Sequence, residues 1–271
     1  MAAITAQMVN ELRAKTGQGM MECKKALTET GGDVEKAVEY FRKKGVKTSL
    51  TERTATEGRV AVGMSPDRKV AAAAMVNTNT DFTAKSEPVA RVLQMAVDAL
   101  LKNPGADVAN DPAIKDALVS VAQQTGENVQ VGKAAALRAP EGGTVGTYIY
   151  VINNKSAVLM AFKGNPPEDM IKNLGGHVAF ARPLGLTRAE IPQDLVAKER
   201  EIAVEQAKAT GKPQQIAEKI AEGKLNAFFA ERALLDQEFF NPAVFKGTVS
   251  AYLKQANATL EKYVRLEVGQ Q

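Results

Sequence analysis

Few residues in this sequence are equipped for covalent chemistry. His177 is the single histidine and Cys23 the single cysteine among 271 residues, and tryptophan is absent. One cysteine permits neither an intrachain disulfide nor a cysteine-based zinc site. One histidine leaves a nucleophile–histidine–acid triad as the sole His-dependent option, and no Gly-x-Ser-x-Gly elbow supplies its nucleophile. Gly45-Val46-Lys47-Thr48 has the wrong spacing for a phosphate-binding loop, and no Gly-x-Gly-x-x-Gly follows a predicted strand. Acid pairs such as Asp236 and Glu238 are expected from the number of acids alone. The reading is therefore of a chain that binds no nucleotide itself, needs no cofactor or metal, and works by binding rather than catalysis.

Three places have the chemistry of contact. Phe82 stands in the polar connector Asn77-Thr78-Asn79-Thr80-Asp81. Either it folds back on the core while Asp81 makes a local turn, or it is an exposed wedge beside a carboxylate. His177 follows Gly175-Gly176, which weakens a helix but lets another backbone approach. Its bland reading is structural or solvated. Met20 and Met21 are adjacent, so on a helix they point in different directions, and methionine suits adaptable surfaces.

The elements that must position these residues read as α+β. Thr5 and Asp33 are helix N-cap candidates. Met8, Val9 and Leu12, then Met20, Met21, Cys23, Ala26 and Leu27, then Val34, Ala37, Val38 and Phe41 give three short helices in a bundle over 1–46. A polar linker over 47–56 follows. A core subdomain over 57–140 carries strands Gly58–Met64 and Lys69–Val76, a helix capped by Ser86, a helix over 112–124 and a weaker strand over 129–137. A second subdomain over 141–192 and 230–271 carries strands Thr144–Ile152 and Ala157–Lys163, a helix over 167–180, a helix over 248–258 and an alternating strand through Val264, Leu266 and Val268. Between its two parts, 193–229 reads as an antiparallel helical hairpin that projects from the body. Leu195, Ile202 and Ala209, with Ile216 and Ile220, form its thin seam, and Gly211-Lys212-Pro213 its turn.

Composition fits this. The apolar fraction is 45% and the charged fraction 24%, with 35 basic and 31 acidic residues for a net charge of +4. The charges are interspersed, which is a solvated surface rather than a nucleic-acid footprint. No segment is long and apolar enough to span a bilayer, and the N-terminus lacks a signal-peptide pattern, so the cytoplasm is the expected location.

Leu12-Arg13 with Thr16 through Leu27, then Gly32-Asp33, Ala37 and Lys44-Gly45 resemble the N-terminal signature of the elongation factor Ts family. Asn77 through Ala84 resembles its second motif. His177-Val178-Ala179 with Pro183, the Gly211-Lys212-Pro213 turn, and Val264 through Gly269 follow in the family's order. The resemblance implies a first bundle similar to ubiquitin-associated domains that docks on the nucleotide domain of elongation factor Tu, with Leu12, Met20, Met21 and Lys24 as contacts. It implies that Thr80, Asp81, Phe82 and Thr83 dislodge the Mg²⁺ of that partner, and that His177 and Val178 press on a helix and shift its phosphate loop. The helical hairpin would make peripheral contacts. Asn79 stands where the family usually has Glu, Thr83 where it has Val, and Gly175 and Gly176 where larger residues are common. The chain stops at Gln271, where some members continue into another helical module. The alternative is a ubiquitin-associated-like adaptor without exchange activity.

Overall fold

The computed structural model describes residues 4–44, 54–209 and 214–269. Most of the expected linker over 47–56, and the Gly211-Lys212-Pro213 turn, lie outside them.

Three helices open the chain: α1 (Ala6–Thr16), α2 (Met20–Glu29) and α3 (Val34–Lys43). Thr5 accepts from the Met8 N–H at 3.2 Å and Asp33 from the Lys36 N–H at 3.0 Å, so both expected caps form. Gly17 ends α1 at φ 65°, a left-handed conformation that disfavours any side chain. Leu12, Cys23, Ala26, Leu27, Ala37 and Phe41 close a small core of their own. Burial pushes the Cys23 thiol above its ordinary value, which keeps it unreactive. Arg13 ties this bundle to the body through an ion pair with Asp116 at 3.0 Å.

The body stacks two antiparallel sheets of three strands. The first has the order β1 (Glu57–Met64), β2 (Val70–Thr78), β3 (Gln130–Arg138); the second has β4 (Gly143–Ile149), β5 (Ser156–Lys163), β6 (Thr259–Glu267). Both central strands are nearly continuous apolar runs, because each is buried on both faces. On β2, Ala72, Ala74 and Val76 meet α5 (Glu87–Lys102) and α6 (Pro112–Thr125), while Ala71, Ala73 and Met75 face the other sheet. On β5, Val158, Met160 and Phe162 meet α7 (Glu168–Ala181) and α10 (Val249–Lys254), while Ala157, Leu159 and Ala161 face inward. The result is helices, sheet, sheet, helices. The alanines of β2 let the sheets approach closely.

The remaining helices are a single turn, α4 (Asp81–Ala84), and the long pair α8 (Gln193–Lys208) and α9 (Gln214–Arg232). Several expectations need correction. Ser86 sits at the N-cap of α5 but makes no capping bond. The strand expected to reach Ile152 ends at Ile149, because the chain turns at Asn154, whose φ is 51°. The helix expected to run to Ala258 stops at Lys254. The seam of α8 and α9 is made by Ala203, Ala207, Ala217, Ala221 and Leu225, with Ile202 and Ile216 exposed at its flank. Small side chains at the contact let the two helices approach closely, and the heptad spacing of the larger residues concealed this. None of the described helices is long and apolar enough to cross a membrane.

Candidate functional site

The connector between β2 and α5 is built to hold one side chain outward. The Thr80 hydroxyl accepts from the Thr83 N–H at 3.2 Å and caps α4. Thr83 and Ala84 turn inward and are buried. Successive helical residues point about 100° apart, so Asp81 and Phe82 are directed into solvent, and Phe82 is 85% exposed. Glu127, 47 residues further along, braces the turn. Its carboxylate accepts from the N–H groups of Asn79 and Thr80 at 3.1 and 3.0 Å and from the Thr80 hydroxyl at 2.6 Å. Burial opposes the charge on Glu127, but hydrogen bonds from Thr80 and Thr83 and from the Thr80 and Asn79 amides outweigh it and hold the carboxyl below its ordinary 4.5. The Asn79 side chain extends the brace. Its carbonyl accepts from the Asn128 N–H at 2.8 Å and its amide donates to the Thr54 carbonyl at 3.2 Å. Asp81 pairs with Lys85 at 2.7 Å, and this hydrogen bond holds its carboxyl below the ordinary value. The pair is open to water, so a competing charge displaces it easily.

His177 is placed in the opposite way. It is 1% exposed on the inner face of α7. Its Nδ1 accepts from the Phe240 N–H at 3.1 Å, so Nε2 carries the proton and donates to the Gln237 side-chain oxygen at 2.9 Å. Gln237 in turn donates to the Glu231 carbonyl at 2.7 Å. The ring stacks on Phe239 at 5.4 Å between centroids and 10° between planes. Burial lowers the pKa of His177 below 6.5, more than the Gln237 bond raises it, and keeps the ring neutral. Gly175 is required here: a Cβ would sit 2.2 Å from the Tyr148 Cβ. Outside this buried layer, Phe180 and Phe240 lie 6.1 Å apart and are 77% and 41% exposed.

On the N-terminal bundle, Met20 and Met21 are 55% and 71% exposed, and Lys24 shares their open face of α2. Among the described residues no group of three His, Cys, Asp or Glu could hold a metal. A groove of about 830 Å³ between α1 and α6 is the gap beside the Arg13–Asp116 pair, lined by Asn10, Lys115 and Val119.

Residues 79–270 match the model of the family described as Elongation factor TS. The chain is 38% identical over 276 residues to an elongation factor Ts of Thioalkalivibrio sulfidiphilus, covering 98% of this chain and 92% of that one. It is 39% identical over 274 residues to an elongation factor Ts of Hahella chejuensis, covering 100% and 93%. The chain belongs to the elongation factor Ts family. Its role is therefore in the elongation stage of protein synthesis.

As a family member it departs from the sequence reading in where the named residues lie. Thr80 and Thr83 shape the turn, and Asp81 and Phe82 present it, so these four act together. Met20, Met21 and Lys24 share one surface. Leu12, His177 and Val178 are interior, at 0%, 1% and 0% exposure. In the free chain Leu12 fills the bundle core, Val178 fills the layer under β5, and His177 spends both ring nitrogens on its own fold, so none of the three is at the surface. Glu127, Phe180 and Phe240 were missed. The aromatic pair Phe239-Phe240 before Asn241-Pro242 was the available signal, by the same rule that singled out Phe82. Glu127 gave none, since only the fold brings it to Thr80. The Asn79 and Thr83 departures are accommodated by the Glu127 network, and Gly175 by the close approach of Tyr148.

Proposed function

We propose that this chain binds elongation factor Tu carrying GDP and promotes release of the nucleotide by inserting Phe82 and Asp81 beside the metal site of that partner. The observation that carries the reading is Phe82, 85% exposed on a turn pinned by Glu127. An aromatic held open to water on a rigid support has already met its ordering cost, which is the condition for an effective contact. A GTPase holds GDP largely through Mg²⁺ and backbone donors around the phosphates. A partner that binds the metal-poor, distorted state better shifts the population toward it. The coupling is reciprocal: whatever factor this chain removes from GDP affinity, the nucleotide removes from its own. Incoming GTP then expels the factor, which acts repeatedly without being consumed, and no proton transfer or nucleophile is asked of it.

The exposed Met20, Met21 and Lys24 face fits docking of the bundle on the nucleotide domain. Phe180 and Phe240 replace His177 and Val178 as the groups that touch the partner, with His177 positioning Phe240. The reading requires no nucleic acid, membrane or nucleotide on this chain. Mixing the protein with elongation factor Tu bearing fluorescent GDP, and following release by stopped flow, tests it. Acceleration that collapses in Phe82→Ala is expected. Binding without acceleration would instead mark an adaptor.

A further inference from the structure

Three of the large apolar side chains most open to water stand on two segments that wall one hollow, Phe82 on the α4 turn and Val151 and Ile152 on the β4–β5 tip, with Ile152 itself on the lining. Phe82 is 85% exposed, Ile152 78% and Val151 74%. The hollow, about 120 Å³, has Asp81, Ala84 and Lys85 on one wall and Ile152, Asn153 and Lys155 on the other. Two β-branched residues at a hairpin tip are costly to leave hydrated, and here the tip is not loose. The Asn154 N–H donates to the Tyr150 carbonyl at 2.9 Å, and the Asn154 carbonyl accepts from the Val60 N–H at 2.8 Å. The Lys155 N–H donates to the Asn153 side chain at 3.0 Å, and the Lys155 carbonyl accepts from the Val268 N–H at 2.8 Å. Lys155 also pairs with Glu57. The tip is bonded to β1 and to the chain after β6, so the exposure is built in.

Of the charges on this lining, Asp81 pairs with Lys85 and Lys155 with Glu57, and the half-buried Arg59 is the one further charge. Beyond that single guanidinium, what is open at the rim is apolar, which suits an apolar groove on a protein better than a phosphate backbone, whose recognition takes several free cations. The tip and the Phe82 turn form the two walls of a single hollow, and both are rigid. We propose that the Val151–Ile152 tip is a second contact element for elongation factor Tu, seated beside Phe82 and supplying affinity where Phe82 supplies exchange; this rests on the reading under Proposed function. The two roles separate kinetically. Removing apolar area that is bound equally before and during nucleotide loss weakens binding without slowing the bound complex.

The test is Val151→Ser/Ile152→Ser in the full chain, alongside Phe82→Ala, with GDP release titrated by stopped flow. The tip variant is expected to raise the concentration for half-maximal acceleration by roughly tenfold or more while keeping the maximal rate. Phe82→Ala is expected to lower the maximal rate. Unchanged melting confirms that both variants are folded. A tip variant with wild-type half-saturation, beside a crippled Phe82→Ala, overturns this inference and leaves the exchange reading standing. A shifted tip variant beside an unaffected Phe82→Ala supports the contact and overturns the wedge. A dimer seen by light scattering that the tip variant abolishes, with half-saturation unchanged, assigns the tip to a second copy of this chain and overturns the proposal.

Discussion

Phe82 and His177 both stood out in the sequence as contact candidates, and the fold treats them oppositely. Phe82 is an apolar ring driven outward by a turn whose Asn79, Thr80 and Thr83 amides are bonded by Glu127 and the Thr80 hydroxyl. His177 is a polar ring drawn inward, with both nitrogens bonded to the segment that carries Phe240. The difference teaches that the residue that touches and the residue that holds need not be the same. In the first place Glu127 holds and Phe82 is the ring presented to solvent. In the second His177 holds, and Phe180 and Phe240 are the rings left at the surface.

The sharpest way to break this comparison is to truncate both rings. His177→Ala removes two buried hydrogen bonds and opens a cavity under Phe239, so a stability loss of about 2–4 kcal/mol is expected by denaturant titration. Phe82→Ala touches no internal contact and should leave stability within about 0.5 kcal/mol. Its exchange rate, however, should fall by roughly tenfold to a hundredfold in the GDP-release assay. If the two variants behaved alike, the division into holding and touching residues would be lost.

A second break lies behind the turn. Glu127→Ala strands the amides of Asn79 and Thr80 and the Thr80 hydroxyl, at a cost of about 1–3 kcal/mol. Exchange should drop although Phe82 is intact, and Glu127→Gln should recover part of it. Full activity in Glu127→Ala would show that the turn needs no brace. The carboxylate sits below its ordinary 4.5. Its contribution is therefore complete above that value and is lost as pH falls through the lowered one.

The smallest effect concerns His177. Its pKa lies below 6.5 in the folded state, so below pH 6.5 the unfolded chain binds the proton first. Stability is complete above about pH 6.5 and declines as pH falls toward the lowered value, by at most about 1.4 kcal/mol per pH unit. As the only histidine, it dominates this window, and His177→Gln should flatten the melting temperature between pH 5.5 and 6.5. A slope that survives the substitution would mean that His177 is not held neutral.

Much of the scaffold was legible. Thr5 and Asp33 cap where a side-chain oxygen before an apolar period must cap. The runs Lys69–Val76 and Ala157–Lys163 read as strands from their length and the turns that bound them, while their place at the centre of each sheet came from the fold. The tip at Val151–Ile152 was misread as strand because β-branched residues carry the same local preference whether or not a partner strand faces them. The seam of α8 and α9 was misread because alanine carries almost no periodic signal, although it is the residue that lets helices meet.

Local interactions act over three or four residues, so the sequence by itself determined most of the helices and strands and the Thr5 and Asp33 caps. Exposure is a property of packing, and packing joins residues far apart in the chain. Only the tertiary structure decided that Glu127 stands behind Thr80, that Phe240 closes over His177, and that the Val151–Ile152 tip comes to rest beside the Phe82 turn.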